Sequence, residues 1–194
     1  MENLDTNNLQ DLFANKVFKI PNYQRGYSWE NEQLTDLVED LEQISDKIHY
    51  TGTIVWRNTH DPVIGYGETF PRYEIVDGQQ RITSLIVFLN EILKELKSVD
   101  KSESIKTADN LLATYIKKEG TQGSIYKLEL DSSNDFYFRD FVLESGSAEW
   151  KTKSQDLLRK AKKFFREYLL SKKRDIPMNI MIFSGVLLPK LLSN

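Results

Sequence analysis

Between Gln79 and Ser98 the chain carries Ile82, Leu85, Ile86, Leu89, Ile92, Leu93 and Leu96 at three- and four-residue spacing, with Val87 and Phe88 widening the stripe. A helix apolar on most of its sides has to sit in the middle of a domain. Other elements must therefore cover it on more than one side. Just before it, Arg72-Tyr73-Glu74-Ile75-Val76 reads as a strand, and Asp77-Gly78 as an abrupt turn between the two. A strand thus runs straight into a buried helix through a two-residue turn.

The remaining elements fit that frame. The pattern predicts a helix over about 5–15, a short strand over 17–20 ending at Pro21, and an aromatic-rich loop over 22–31. In that loop Tyr27 and Trp29 are read as plugs for the core. Residues 32–48 space Leu34, Leu37, Val38, Leu41, Ile44 and Ile48 as an amphipathic helix. Its other face carries Asp36, Glu39, Asp40, Glu42 and Asp46, which suits solvent better than a metal. A β-branched strand is expected over 51–56, and a Pro/Gly-containing loop over 57–71. Downstream, helices are expected over 111–118, 134–143 and 154–172, the last capped by Ser154, with an alternating strand over 125–130.

Composition removes several functions. The chain has 194 residues, 40% of them apolar and 28% charged, as in ordinary soluble domains. It has no cysteine, so disulfides, thiolate zinc sites and cysteine nucleophiles are excluded. Its histidines are His49 and His60, too few for a multi-histidine metal site or an HNH-type nuclease. The start, Met1-Glu2-Asn3-Leu4-Asp5, is unlike a signal peptide. No stretch approaches the ~20 apolar residues of a membrane span. A cytoplasmic protein without membrane contact is the expectation. The net charge is −3, but unevenly spread: 9 basic against 16 acidic residues over 1–97, and 17 against 13 over 98–194. Much of the basic excess lies on the 154–172 helix, where Arg159, Lys160, Lys162, Lys163 and Arg166 face away from the apolar stripe. Such a run either tracks DNA phosphates or is a solvated helix face.

The chemistry concentrates at Asp77-Gly78-Gln79-Gln80-Arg81. Gly78 permits the unusual dihedrals of a sharp turn. The helix that follows presents unpaired N–H groups and the positive end of its dipole, which together favour an anion. Arg81 in the first turn is unfavourable for the helix alone, and its planar fork suits a phosphate. Gln79 and Gln80 can hold a phosphate oxygen or an attacking water. Asp77 can bind Mg²⁺ or accept a proton. The alternative is structural, with Asp77 as a cap and Arg81 paired to Glu74. No P-loop or Gly-x-Gly-x-x-Gly fingerprint is present.

Three blocks then match one family in order and spacing: Ile20-Pro21-Asn22-Tyr23-Gln24-Arg25-Gly26-Tyr27-Ser28-Trp29, Thr51-Gly52-Thr53-Ile54-Val55, and Tyr73-Glu74-Ile75-Val76-Asp77-Gly78-Gln79-Gln80-Arg81-Ile82-Thr83. Over about residues 5–98 the sequence resembles the domain of unknown function 262, the N-terminal domain of GmrSD-type modification-dependent restriction enzymes. The resemblance is weaker over 99–172.

It implies a ParB/sulfiredoxin-like α+β fold, a small mixed sheet with packed helices, over 1–98. A mainly helical extension would follow over 99–194. It also implies binding and hydrolysis of a nucleoside triphosphate with Mg²⁺, serving an anti-phage restriction system. Asp77, Gly78, Gln79, Gln80 and Arg81 would form the phosphate-binding turn, with Tyr23, Gln24 and Arg25 lining the same cleft. Trp29 is expected to pack rather than react. A non-catalytic DNA- or protein-binding module is the competing reading, with Arg159, Lys162, Lys163 and Arg166 as its DNA contacts. Relatives continue into further helices and often an HNH nuclease domain. The expectation is therefore a shortened chain, a disrupted gene or half of a split protein. Exposed apolar surface near residues 178–192 would then favour oligomers or a partner. The resemblance implies a nuclease partner domain or subunit, with DNA bound in the larger complex.

Overall fold

The computed structural model describes residues 12–13, 15–43, 53–65, 67–98, 102–120 and 123–175. The predicted helix over 5–15 falls within it only at Leu12 and Phe13, and the apolar run 178–192 lies outside the described residues.

A four-stranded mixed sheet organises the molecule. Strand β1 (Val17–Lys19) lies inside it, followed in the chain by helix α1 (Asn31–Gln43) and strand β2 (Val55–Asn58). A small hairpin of β3 (Val63–Gly65) and β4 (Glu68–Phe70) comes next. Strand β5 (Arg72–Asp77) then leads through Gly78 into helix α2 (Gln79–Ser98). Helix α3 (Ser102–Leu111) runs into a π-helical turn over 112–116, then a second hairpin of β6 (Lys117–Gly120) and β7 (Gly123–Tyr126). The short β8 (Leu128–Glu129), helix α4 (Asp135–Tyr137), another π-helical stretch over 138–143 and helix α5 (Lys153–Asp175) complete the order.

The sheet order is β2-β5-β1-β8. β1 runs parallel to β5, with Phe18 opposite Tyr73, and parallel to β8, with Phe18 opposite Leu128. β2 is antiparallel to β5. Phe18 is fully buried and meets the Phe13 and Trp56 rings edge-on at 5.3 and 6.1 Å. α2 is buried along most of its length and packs most extensively on α5. There Phe88 stacks on Phe165 at 4.8 Å and meets Tyr168 edge-on at 5.8 Å. Fully burying side chains of this size contributes roughly 1.5–3 kcal/mol each.

Several sequence expectations need correction. The strand placed at 51–56 is β2, shifted to Val55–Asn58. The loop 57–71 contains the β3–β4 hairpin. Helix 111–118 is instead the end of α3 and a π-helical turn, and Lys117 and Lys118 already belong to β6. The single strand 125–130 divides at Lys127, because β7 pairs with β6 whereas β8 pairs with β1. The Lys127 N–H then donates to Ile116 O at 2.9 Å. Helix 134–143 is mostly π-helical. The cap of α5 is Thr152, whose Oγ1 accepts the Gln155 N–H at 3.2 Å, while Ser154 lies inside the helix. α1 begins with the capping interaction its sequence supports, Gln33 Oε1 accepting the Glu30 N–H at 2.9 Å.

Candidate functional site

The strand-to-helix turn is built on Gly78, whose φ of 86° lies in the left-handed region. A Cβ here would meet Thr53 O at 3.0 Å and Ile54 Cα at 3.1 Å, both on a neighbouring segment. Asp77 Oδ1 accepts the Gly78 N–H at 2.8 Å, and the first bond of the helix runs from Ile82 N–H to Gly78 O at 3.1 Å. The amides of Gln79, Gln80 and Arg81 precede that first bond, and a helix start of this kind favours an anion.

The loop after β1 is pinned against this turn by the glutamines. Gln24 Nε2 donates to Ile75 O at 3.0 Å and Val76 O at 2.8 Å, tying the loop to the end of β5. Gln80 uses both ends of its amide on the loop: Nε2 donates to Gly26 O at 3.2 Å, and Oε1 accepts the Ser28 N–H at 2.7 Å. Gln79 uses one end only, Nε2 donating to Arg25 O at 3.2 Å. Its Oε1 is buried without a partner. Tyr27 is buried and shares a 2.7 Å hydrogen bond with Ser84, and burial pushes its phenol well above the usual range. Trp29 packs at the edge of the core, as expected of it.

Ile20, Arg25, Tyr27, Gln79, Gln80, Thr83, Leu130 and Asp131 line a small cleft with space for about one water. Ligand pockets run to roughly 300–1,000 Å³, so a nucleotide does not fit inside it. Of the residues singled out from the sequence, Arg25, Gln79 and Gln80 line the cleft, whereas Tyr23, Gln24, Asp77, Gly78 and Arg81 do not. Tyr23 is 69% exposed on the loop beside it. Asp131 was missed by sequence reasoning. It arrives from the end of β8, and only the parallel pairing of β1 with β8 brings it to the start of α2.

The arginines divide sharply. Arg57 pairs with Glu74 at 2.6 Å, the carboxylate that the structural alternative gave to Arg81. Arg72 pairs with Asp61, Arg139 with Asp135, and Arg159 with Asp156. Among the described residues, Arg25, Arg81 and Arg166 have no acidic partner, and Arg25 and Arg81 are the two beside the turn. No group of three or more His, Cys, Asp or Glu side chains suited to a metal occurs among the described residues. Asp77 is exposed.

The basic face of α5 is largely occupied within the molecule. Arg159 and Lys160 both reach Asp156, and Lys163 lies 3.7 Å from Glu167. Lys162 bends inward to donate to Phe141 O at 2.5 Å and stands over the Phe141 ring. Burial, then the neighbouring Lys94 charge, brings its ammonium down to about 8. Arg166 is exposed.

Fold and turn together define a mixed α+β protein whose central helix starts from a glycine turn beside a small polar cleft. The family model for the GmrSD restriction endonuclease, N-terminal domain, matches residues 9–191, and the chain belongs to that family. No curated protein matches it. No helix among the described residues is long and apolar enough to cross a membrane.

Proposed function

We propose that this chain is a nucleotide-binding, NTP-hydrolysing regulatory domain of a prokaryotic DNA restriction system, built on a ParB/sulfiredoxin-like core. The observation that carries the reading is the pair of arginines, Arg25 and Arg81, left without carboxylate partners beside a helix start, while the arginines nearest in the sheet are paired. Arg81 is half-buried, and a half-buried cation without a counter-charge costs stability; Arg25 is exposed on the facing loop, and a phosphate between them supplies the missing charge in bidentate form.

In this reading the terminal phosphoryl group sits at the mouth of the cleft between Arg25 and the helix start that carries Arg81, and the rest of the nucleotide lies across the rim, where exposed Tyr23 offers a ring face to the base. Gln24 and Gln80 serve as the clamps that fix the loop, and Arg25 and Arg81 as the phosphate ligands. Magnesium is ordinarily held by one or two carboxylates plus substrate phosphates. A lone exposed Asp77 fits that pattern, with the metal arriving on the triphosphate and neutralising its charge.

The test is a thermal-shift panel of ATP, GTP, CTP and UTP with Mg²⁺ on the wild type and on Arg81→Ala. Saturation at ~100 times Kd stabilises by about 2.7 kcal/mol, several degrees at this size. The expected result is a shift with at least one nucleotide that Arg81→Ala loses while its unliganded midpoint is kept. A folded wild type that shifts with none of them defeats the reading.

A further inference from the structure

The cleft contains acceptors that no phosphate oxygen can satisfy. Gln79 is 8% exposed, and its donation to Arg25 O fixes which end of the amide points where. Flipping it would set two carbonyl oxygens against each other, so the unpartnered atom is the acceptor Oε1. A buried acceptor left unmet is costly, so this position calls for a donor.

Asp131, also 8% exposed, lines the same cleft. Its Oδ1 accepts the Ser133 N–H at 3.1 Å and the Ser133 hydroxyl, and its Oδ2 accepts Asn134 Nδ2 at 2.7 Å. A carboxylate has about four lone-pair sites. The turn therefore locks Asp131 in place and leaves it capacity for one more donor. Arg25, exposed at the edge of the same cleft and without a carboxylate partner, offers a cation to an anion. A site that wants an O–H donor at one wall and an anion at another matches a water set beside a phosphoryl group. The cleft has room for about one water.

We propose that Asp131 is the general base of nucleotide hydrolysis and that Gln79 Oε1 orients the water it deprotonates. This rests on the nucleotide reading above. The water oxygen bonds to the γ-phosphorus as the bond to the β,γ-bridging oxygen breaks. The electron pair leaves on the nucleoside diphosphate, and the water's proton passes to Asp131. The products are nucleoside diphosphate and inorganic phosphate.

The experiment measures two quantities on the full chain: binding of a non-hydrolysable triphosphate with Mg²⁺, and phosphate release from the hydrolysable one. The variants are Asp131→Asn, Gln79→Met and Ser133→Ala. Asp131→Asn is expected to bind within about threefold of wild type and to release phosphate at least ~100-fold more slowly. Gln79→Met is expected to slow release ~10-fold or more with binding kept. Ser133→Ala removes one of the bonds that position Asp131 but keeps the carboxylate, and should slow release by less than ~10-fold, far less than Asp131→Asn.

Turnover retained in Asp131→Asn overturns the proposal. So does a Ser133→Ala variant as slow as Asp131→Asn, which would make the turn and not the carboxylate responsible. Binding lost in step with turnover in Asp131→Asn also overturns it. A wild type that binds but releases no phosphate ends the base assignment and leaves nucleotide binding standing. A wild type that binds nothing ends both.

Discussion

Gln79 and Gln80 are neighbours of one kind, yet their amides have different fates. Gln80 is consumed by the loop at both ends, so its loss leaves Ser28 N–H and Gly26 O without their partner. Gln79 keeps an acceptor in reserve. Gly78 is the residue on which both depend, since it alone admits the turn that starts their helix. With φ at 86° and backbone atoms about 3 Å from any added Cβ, Gly78→Ala combines a disfavoured dihedral with a clash that no side-chain rotation relieves. We expect a loss of ~1–3 kcal/mol, read as a lower urea midpoint at unchanged slope. Lys162 gives a pH signature. Its ammonium sits at about 8 in the fold and near 10.4 when unfolded. Its charge is penalised fully below about 8. Between the two values the unfolded chain holds more of the proton, so this residue's contribution grows more favourable as pH rises. The stability of wild type relative to Lys162→Met should therefore increase from pH 7.5 to 10, measured by urea unfolding. At this scale the sequence made Arg81 visible, because a cation in a first helical turn is anomalous locally. Asp131 was invisible, because its meaning comes from a strand pairing with residues more than a hundred positions away.

Helices α1, α2 and α5 were legible because each repeats its apolar residues over three turns or more. The two hairpins and the π-helical stretches were not. Strands of three or four residues carry too few positions for a period to show, and the β3–β4 hairpin hides among the glycines and prolines that also mark loops. A π-helical stretch differs from an α-helix in backbone bonding rather than in composition. α5 shows how an element's period is legible in the sequence while the partners of its surface charges are not. Its lysines look like a track for phosphates, but most of the charge is answered by Asp156 and Glu167, and Lys162 turns inward. A cation already holding a carbonyl displaces no counterions from DNA. We therefore expect Lys162→Met to leave the salt dependence of any duplex binding unchanged, within about half a unit of log–log slope. A drop of about one unit, measured by fluorescence anisotropy from 50 to 200 mM salt, would show that Lys162 leaves Phe141 O to reach a phosphate.

At the scale of the molecule, the sheet and the central helix are both completed from far along the chain. β1 has β5 on one side and β8 on the other, so the strand that carries Phe18 has an open edge unless residues 128–129 are present. α2 has the sheet side of the core on one face and α5 on another, with the Phe88 ring stacked on Phe165. Asn90 donates to Val142 O and Leu143 O, and Lys94 to Val142 O. A piece ending at Ser98 would expose that apolar face and strand edge together, and would lose Asp131 from the cleft. Such surfaces drive association rather than folding. We expect residues 1–98 expressed alone to show no cooperative thermal transition, whereas residues 1–175 unfold in one step by circular dichroism. A sharp transition in the shorter piece, with Trp29 and Trp56 fluorescence as in the longer one, would mean that β5, β1 and α2 hold together without their distant partners. In that case the cleft, not the fold, is what the C-terminal half is needed for.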